Sequence, residues 1–205
     1  MILSLLVIAA FGCKKEETPT AATPVATAAS DISNNSFQAN WNVAANATEY
    51  ELQTATEVTF LNVTTQTNLG GPTVVSGLSG NTEYFYRVRA TNLGQNPSSF
   101  SNTISTITLP DAPVAAAATD IKKTSFQANW QSVTGVNDYL LYVSKDNFTS
   151  NPPEYITGYE GVVVTGTTHE VNGLEAGKFY YYRLESKVGT RISEPSNSEM
   201  VQTLF

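Results

Sequence analysis

The chain has few of the residues from which catalytic or metal sites are built. Its 205 residues contain one cysteine, Cys13, and one histidine, His169. A single cysteine excludes an internal disulfide, so stability must come from packing. A catalytic triad or a histidine-based metal site needs partners that the surrounding GTTHEVNGL does not supply, and we expect His169 to be structural. The sequence predicts no catalytic residue, no metal site and no cofactor.

Charge is scarce as well. Charged residues make up 14% of the chain and the net charge is −7. Nucleic acid binding needs a basic surface that displaces counterions, so this charge balance argues against it. Glu49 and Glu51 alternate on a predicted strand and share a solvent face, with no apolar pocket to raise a pKa. Asp146 and Asn147 lack the alternating oxygen ligands of a calcium loop. We therefore expect a protein that is not an enzyme.

The one long apolar run, ILSLLVIAAF at residues 2–11, is too short to span a bilayer, which needs about twenty residues. It fits the apolar core of a secretory signal, and Gly12 places a small residue before Cys13. The stretch resembles the lipobox of bacterial lipoproteins, which implies a signal peptide at residues 1–12 and a diacylglycerol lipid on Cys13. An incidental cysteine behind a hydrophobic leader is the alternative. No Lys or Arg precedes the run, which leaves open an incomplete leader.

The residues after the cysteine predict an address and a tether. Residues 14–30 have no hydrophobic period and are rich in Thr, Ala and Pro, which is typical of a flexible segment. We place the anchor and disordered tether at residues 13–23. Acidic residues just after a lipidated cysteine resemble the signal that sends lipoproteins to the surface of some Gram-negative bacteria. The implied location is the bacterial cell envelope, in the outer membrane and exposed at the surface, with the membrane as a partner through the lipid.

An internal repeat organises the remainder of the chain. SFQANW occurs at residues 36–41 and again at 125–130, and GLSGNTEYFYRV at 77–88 matches GLEAGKFYYYRL at 173–184. Repeats about 90 residues apart indicate tandem domains, because solenoid repeats are about 20–50 residues long. Apolar residues alternate with polar ones in these blocks, as in half-buried strands. We predict an all-β chain with domain 1 at residues 24–110 and domain 2 at 111–205.

Each copy resembles a fibronectin type III domain. A tryptophan ends the second strand, a tyrosine follows nine residues later, and a leucine precedes a corner tyrosine by six. The resemblance implies two immunoglobulin-like antiparallel β-sandwiches, with the corner hydroxyl bonded to the backbone. It also implies a core that contains Trp41, Tyr50, Leu78, Tyr84, Trp130, Tyr139, Leu174 and Tyr180. The proline usual after the corner leucine is replaced by Gly80 and Ala176. Two prolines in LPDAP, residues 109–113, predict an end-to-end arrangement with limited hinge freedom.

Four aromatic residues are the candidates for ligand binding: Phe85, Tyr155, Tyr159 and Tyr181. Exposed aromatics beside polar groups can stack on sugars or anchor a protein. The alternative is that they cover a sheet edge and shield cross-strand neighbours. No Arg-Gly-Asp occurs, so the integrin-binding loop of some members cannot be transferred.

Three functions follow as hypotheses. The first is a lipid-anchored surface spacer, adhesion or protein-interaction module. The second is the N-terminal part of a larger secreted enzyme or adhesin, in which the two domains are spacers. The third is a carbohydrate-binding module that uses the aromatics of domain 2. The protein or glycan partner stays open in all three.

Overall fold

Domain 1 is a sandwich of two antiparallel sheets. The computed structural model describes residues 19–92 and 95–205. The first sheet has the order β1-β2-β5 and the second has the order β4-β3-β6-β7. The strands are β1 (Ala26–Ser30), β2 (Ser36–Trp41), β3 (Glu49–Ala55), β4 (Thr64–Leu69), β5 (Thr73–Ser76), β6 (Glu83–Thr91) and β7 (Ile104–Ile107).

Domain 2 repeats this topology. One sheet has the order β12-β9-β8, and the other runs β11-β10-β13, with β14 and β15 both paired to β13. The strands are β8 (Val114–Thr119), β9 (Ser125–Gln131), β10 (Asp138–Ser144), β11 (Tyr155–Thr165), β12 (Thr168–Asn172), β13 (Phe179–Val188), β14 (Arg191–Ile192) and β15 (Glu199–Gln202). In the part of the chain that the structure describes there is no helix suited to crossing a membrane.

The alternating blocks build the two cores. In β2 the apolar residues Phe37, Ala39 and Trp41 are buried, while the polar residues between them are partly exposed. Trp41 and Trp130 are each 4% exposed, and each packs at 5.6 Å between ring centroids on the tyrosine nine residues later. Tyr50, Tyr84, Tyr139, Leu174 and Tyr180 are buried with them, and Leu78 is half-buried against the core of domain 1. Burial of these large side chains between the sheets is the main stabilising contribution.

The corner tyrosines bond to the backbone as the resemblance implies. The Tyr84 hydroxyl accepts the Ser79 N–H at 2.9 Å, and the Tyr180 hydroxyl accepts the Glu175 N–H at 2.9 Å. Each bond closes the turn before the strand that carries the tyrosine. A buried phenol needs such a partner, because an unmade hydrogen bond in an apolar core is costly.

A second pair of tyrosines, two residues further on, joins the two sheets of each sandwich. Tyr86 donates to the Thr27 carbonyl and Tyr182 donates to the Ala116 carbonyl, so strands β6 and β13 are bonded to the opposite sheet. Both side chains are fully buried. Burial raises the pKa of Tyr182 to about 12 and raises that of Tyr86 in the same direction. This inter-sheet contact has no counterpart in the sequence-based expectations.

The segment predicted to be a tether is in contact with domain 1 from residue 19 onward. Ala21 is buried in the core, and the Ala22 N–H donates to the Ala45 carbonyl at 2.9 Å. Strand β1 also lies inside the low-complexity segment 14–30. Ala and Thr side chains are too small to show a hydrophobic period, yet their backbone pairs with β2. Cys13 and the predicted signal peptide lie outside the described residues.

The junction between the domains is a contact between specific residues. The Asn34 side chain donates to Asp111 Oδ1 at 2.9 Å, and Arg191 donates to the Thr108 carbonyl at 3.2 Å. A Cβ atom added to Gly80 would lie 2.6 Å from Asp111 Oδ1 and 3.1 Å from the Asp111 backbone nitrogen. Glycine therefore stands where the usual proline would meet the linker.

Candidate binding surfaces

The polar residues singled out from the sequence have structural partners. His169 is half-buried with its ring 6.2 Å from that of Tyr159. Asp146 caps its loop: the Ser144 hydroxyl donates to Oδ1, and the backbone N–H groups of Phe148 and Ser150 donate to the carboxylate at 3.2 and 2.9 Å. The hydroxyl of Ser144 and the donors of Ser150 hold the pKa of Asp146 well below its usual range. These donors occupy the oxygens that a calcium ion would need. Within residues 19–92 and 95–205 no cluster of His, Cys, Asp or Glu is arranged to hold a metal.

The outer face of domain 1 carries two arginines, and each of them bonds to an acceptor of the same domain. The guanidinium of Arg87 lies 4.2 Å from the ring centroids of Phe60 and Phe100. Its Nε and NH2 groups donate to Gln53 Oε1 at 3.0 and 2.8 Å. Arg89 forms an ion pair with Glu51 at 2.6 Å. Each cation therefore has an acceptor and an aromatic ring within domain 1, although the Nε of Arg89 is buried without a partner among the described residues.

The matching position in domain 2 has the cation without the acceptor. Arg183 lies 4.2 Å from the Phe148 ring and 5.7 Å from that of Tyr142, its neighbour in β10. Tyr142 stands where domain 1 has Gln53, and its hydroxyl donates to Glu185 at 2.9 Å. Burial first, and then the bond to Glu185, raise the pKa of Tyr142 to about 12. No described residue accepts a hydrogen bond from Arg183, and its Nε is buried without a partner.

The four predicted aromatic candidates do not form one site. Tyr155 and Tyr181 lie on either side of Ser144, as its partners in β11 and β13, and so share the outer face of one sheet. Neither hydroxyl has a hydrogen-bond partner in the part of the chain described. Tyr159 packs against the core, and its hydroxyl accepts the Asn172 N–H at 2.9 Å, so it is structural. Phe85 belongs to domain 1, opposite Ala55 in β3.

The outer face that carries Tyr155 and Tyr181 is bordered by further residues, which were not among the candidates predicted from the sequence. Lys145, Lys178 and Phe179 line an open cavity of about 300 Å³ together with Glu175 and Tyr180. The Phe179 side chain is 49% exposed, and Met200, beside Tyr181 in β15, is 58% exposed. The alternation of Phe179, Tyr181 and Arg183 along β13 would have indicated Phe179. The lysines lie in turns, where no periodic signal marks a surface.

The strand orders describe two seven-stranded sandwiches of the immunoglobulin-like class, with a short additional strand in domain 2. No family model matches the chain. The chain is similar to chitinase A1 of Niallia circulans, with 28% identity over 212 residues that cover 92% of this chain. It spans 28% of the length of that relative. A two-domain fibronectin type III segment of chicken tenascin matches it with a TM-score of 0.52, at 22% identity, over 89% of this chain and 100% of the segment. The described chain is a tandem pair of fibronectin type III-like domains.

Proposed function

We propose that the protein is a non-catalytic lipoprotein of the bacterial cell envelope whose two domains form a surface spacer and interaction module. The observation that carries the proposal is the combination of two separate cores with a junction held by residues of both domains. Separate cores let each domain resist unfolding by itself. The contacts of Asp111 and Arg191 oppose free bending of the linker, as a spacer requires.

The anchor is supported by the sequence around Cys13. The apolar run before it, the small residue Gly12 and the acidic residues that follow are the features of a lipid-attached surface protein. In this arrangement the lipid holds the chain at the membrane, and the two domains extend from that anchor. A single acyl chain attaches a protein to the bilayer only weakly, so stable anchoring needs a second acyl chain or another membrane contact. A diacylglycerol group supplies two.

A second candidate function is supported by the similarity to chitinase A1. This chain matches 28% of that relative, so the similarity is compatible with domains that accompany a catalytic part in a longer protein. Here the two domains would serve as the spacer between a membrane anchor and another module. The separate cores and the junction contacts suit a spacer in either kind of protein.

Replacement of Cys13 tests the anchor. Cys13→Ser is expected to abolish incorporation of labelled fatty acid and to move the protein from the membrane fraction to the soluble fraction. Lys15→Ser is the matched control, because it changes a neighbouring residue and leaves the thiol in place. Fatty acid incorporation into Cys13→Ser, or retention of that variant in the membrane, would refute lipid attachment at this residue.

The intact mass of the membrane-extracted protein separates the two candidates. A mass equal to residues 13–205 plus the lipid supports the two-domain lipoprotein. A substantially larger mass, with peptides from this chain, supports the longer protein with these domains as spacers. A mass that includes residues 1–12 would contradict cleavage before Cys13.

A further inference from the structure

One strip of the outer face of domain 2 carries polar side-chain groups that have no hydrogen-bond partner in the described chain. We define the β13 strip as Lys178, Phe179, Tyr181 and Arg183, which follow one another along the edge of the cavity and up the outer face of β13. Phe179, Tyr181 and Arg183 occupy alternate positions and therefore point to the same side of the sheet. From Phe179 to Arg183 the strip extends about 13 Å.

Within residues 19–92 and 95–205 the polar side chains of the strip have no hydrogen-bond acceptor or donor. The ammonium of Lys178 has no acceptor, the Tyr181 hydroxyl has no partner, and Arg183 makes only cation–π contacts with Phe148 and Tyr142. The Phe179 ring is 49% exposed. Lys145, on the other side of the cavity, reaches Glu175 at 3.5 Å, and both side chains of that pair are well exposed. Exposed pairs of this kind are weak and exchange partners readily.

Domain 1 shows that the fold does not require this arrangement. The residues that correspond to Lys178, Phe179 and Lys145 are Thr82, Glu83 and Thr56, so the cavity lysines and the exposed ring are absent there. Arg87 corresponds to Arg183 and is bonded to Gln53. The cavity lysines and the exposed ring therefore belong to domain 2 alone, and the fold of the repeat does not need them.

The groups of the strip define the chemistry of their ligand. Lys145 and Lys178 at one end and Arg183 at the other favour an extended ligand with repeated negative charge. The exposed ring of Phe179 and the half-buried ring of Tyr181 favour flat apolar surfaces between those charges, and the Tyr181 hydroxyl favours a ligand that carries hydroxyl groups. We propose that the β13 strip binds a carboxylate-bearing polysaccharide. The proposal goes beyond the spacer role and does not depend on the lipid anchor.

The probe is polygalacturonate, and its fully methyl-esterified form is the neutral polymer with the same rings. The full chain is expected to bind polygalacturonate by affinity electrophoresis and calorimetry at low ionic strength, to bind the ester at least about tenfold more weakly, and to lose affinity as salt is added. Polyglutamate carries the same carboxylate charge without rings, and its binding is expected to be weaker than that of polygalacturonate.

Matched variants locate the site. Lys178→Thr introduces the residue of domain 1 and is expected to weaken binding about two- to fivefold, the size of an exposed ion pair. Lys123→Thr removes one positive charge from the turn between β8 and β9 and is the control, with unchanged affinity expected. Phe179→Leu keeps an apolar side chain but removes the flat ring, and a loss of about two- to tenfold is expected.

Three outcomes would overturn the proposal. If Lys178→Thr and Lys123→Thr bind polygalacturonate with equal affinity, binding depends on the net charge of the protein and not on the strip. Polyglutamate binding as tight as that of polygalacturonate would assign the strip to an acidic protein. Absence of polygalacturonate binding by the full chain would remove the site altogether.

Discussion

Arg87 and Arg183 occupy the same position on the outer faces of domains 1 and 2, with different surroundings. In domain 1 the arginine lies between two phenylalanine rings and donates to Gln53. In domain 2 the facing residue is Tyr142, which bonds to Glu185 and leaves the arginine without an acceptor in the described residues. Gln53 is replaced by Tyr142 at the facing position, and the neighbouring pair Glu51 and Arg89 is replaced by Leu140 and Glu185. The arginine of domain 2 therefore loses the acceptor that its counterpart has in domain 1.

The contacts that hold the first strand of each sandwich differ much less between the two domains. The Asn102 side chain accepts the Ala26 N–H and donates to the Ala26 carbonyl, both at 3.0 Å, and Asn197 does the same with Ala115 at 2.9 and 3.1 Å. Each amide replaces a strand partner for the first strand of its sandwich. Side chains that satisfy buried backbone groups cannot change without leaving those groups unpaired. The two copies therefore share the polar contacts that hold their first strands, while their outer faces differ.

The largest expected effect comes from removal of the core tryptophans. Trp130→Ala is expected to destabilise domain 2 by about 3–5 kcal/mol, and Trp41→Ala to destabilise domain 1 by a similar amount. Neither indole nitrogen has a hydrogen-bond partner among the described residues, so lost packing accounts for the whole effect. Urea unfolding of each full-length variant, followed by domain-specific hydrogen exchange, measures it. Each variant should lower the transition of its own domain only, and joint unfolding of both domains in either variant would contradict separate cores.

The inter-sheet tyrosines test whether the two interiors are equivalent in energy. Tyr182→Phe keeps the ring and removes the donor to the Ala116 carbonyl, which leaves a buried acceptor unpaired, and about 1–3 kcal/mol of stability should be lost. Tyr86→Phe is the matched variant in domain 1, with the Thr27 carbonyl as the group left behind. Chemical denaturation of both variants measures the free energy of unfolding that each domain loses. If only one variant loses stability, the tyrosine hydrogen bond contributes to the stability of one domain and not of the other.

The same hydroxyl predicts an alkaline effect. Burial raises the pKa of Tyr182 to about 12, above the ordinary tyrosine value of 10.0, so the folded state favours the protonated phenol. Its contribution is fully present below pH 10 and is lost as the pH rises toward 12. The difference in unfolding midpoint between wild type and Tyr182→Phe should therefore shrink over that interval. A difference that stays constant from about pH 9 to about pH 12 would contradict the raised pKa.

A smaller effect is expected at the junction. Gly80→Ala would place a Cβ against the backbone and carboxylate of Asp111, so the linker has to shift while the domain cores stay intact. Ala176→Gly, at the matching position of domain 2, is the control for the change in residue type. Small-angle scattering should show altered dimensions for Gly80→Ala alone, with the unfolding of each domain changed by less than about 1 kcal/mol. Unaltered scattering would mean that the linker absorbs the extra carbon locally.

The sequence predicted the two sandwiches because the patterns that mark their strands lie in short segments and occur twice. Alternation in SFQANW set the buried face of β2 and β9, and the resemblance to fibronectin type III domains supplied the tryptophans and the corner tyrosines. The bonds of Tyr86 and Tyr182 were not predicted, because their acceptors lie 59 and 66 residues away in the chain. A first strand before SFQANW was implied by the resemblance, but its residues 26–30 were read as part of a flexible segment because small side chains carry no period.

The candidate surface was predicted only in part for a similar reason. Tyr155 and Tyr181 were singled out as exposed aromatics, and the structure places them on one face beside Ser144. Tyr159, four residues after Tyr155, is turned toward Asn172 and the core instead. Gly158 has a φ of 88°, a conformation that interrupts simple alternation along β11. The cavity lysines come together from two turns, a proximity that only the folded chain creates.

The smallest expected effect concerns the loop after β10. The Asp146 carboxylate accepts four bonds from its own loop, whereas that of the corresponding Glu57 in domain 1 accepts the Thr59 hydroxyl at 3.5 Å. The lowered pKa of Asp146 means that its contribution is present above the ordinary value of 3.8 and is lost as the pH falls below it. Asp146→Asn should therefore lower the urea midpoint of domain 2 at about pH 7, and its difference from wild type should narrow by about pH 3. Glu57→Gln should leave domain 1 unchanged at both pH values. An equal gap at the two pH values would assign the effect of Asp146→Asn to the replacement of an acceptor oxygen by an amide NH2 group and not to the loss of charge.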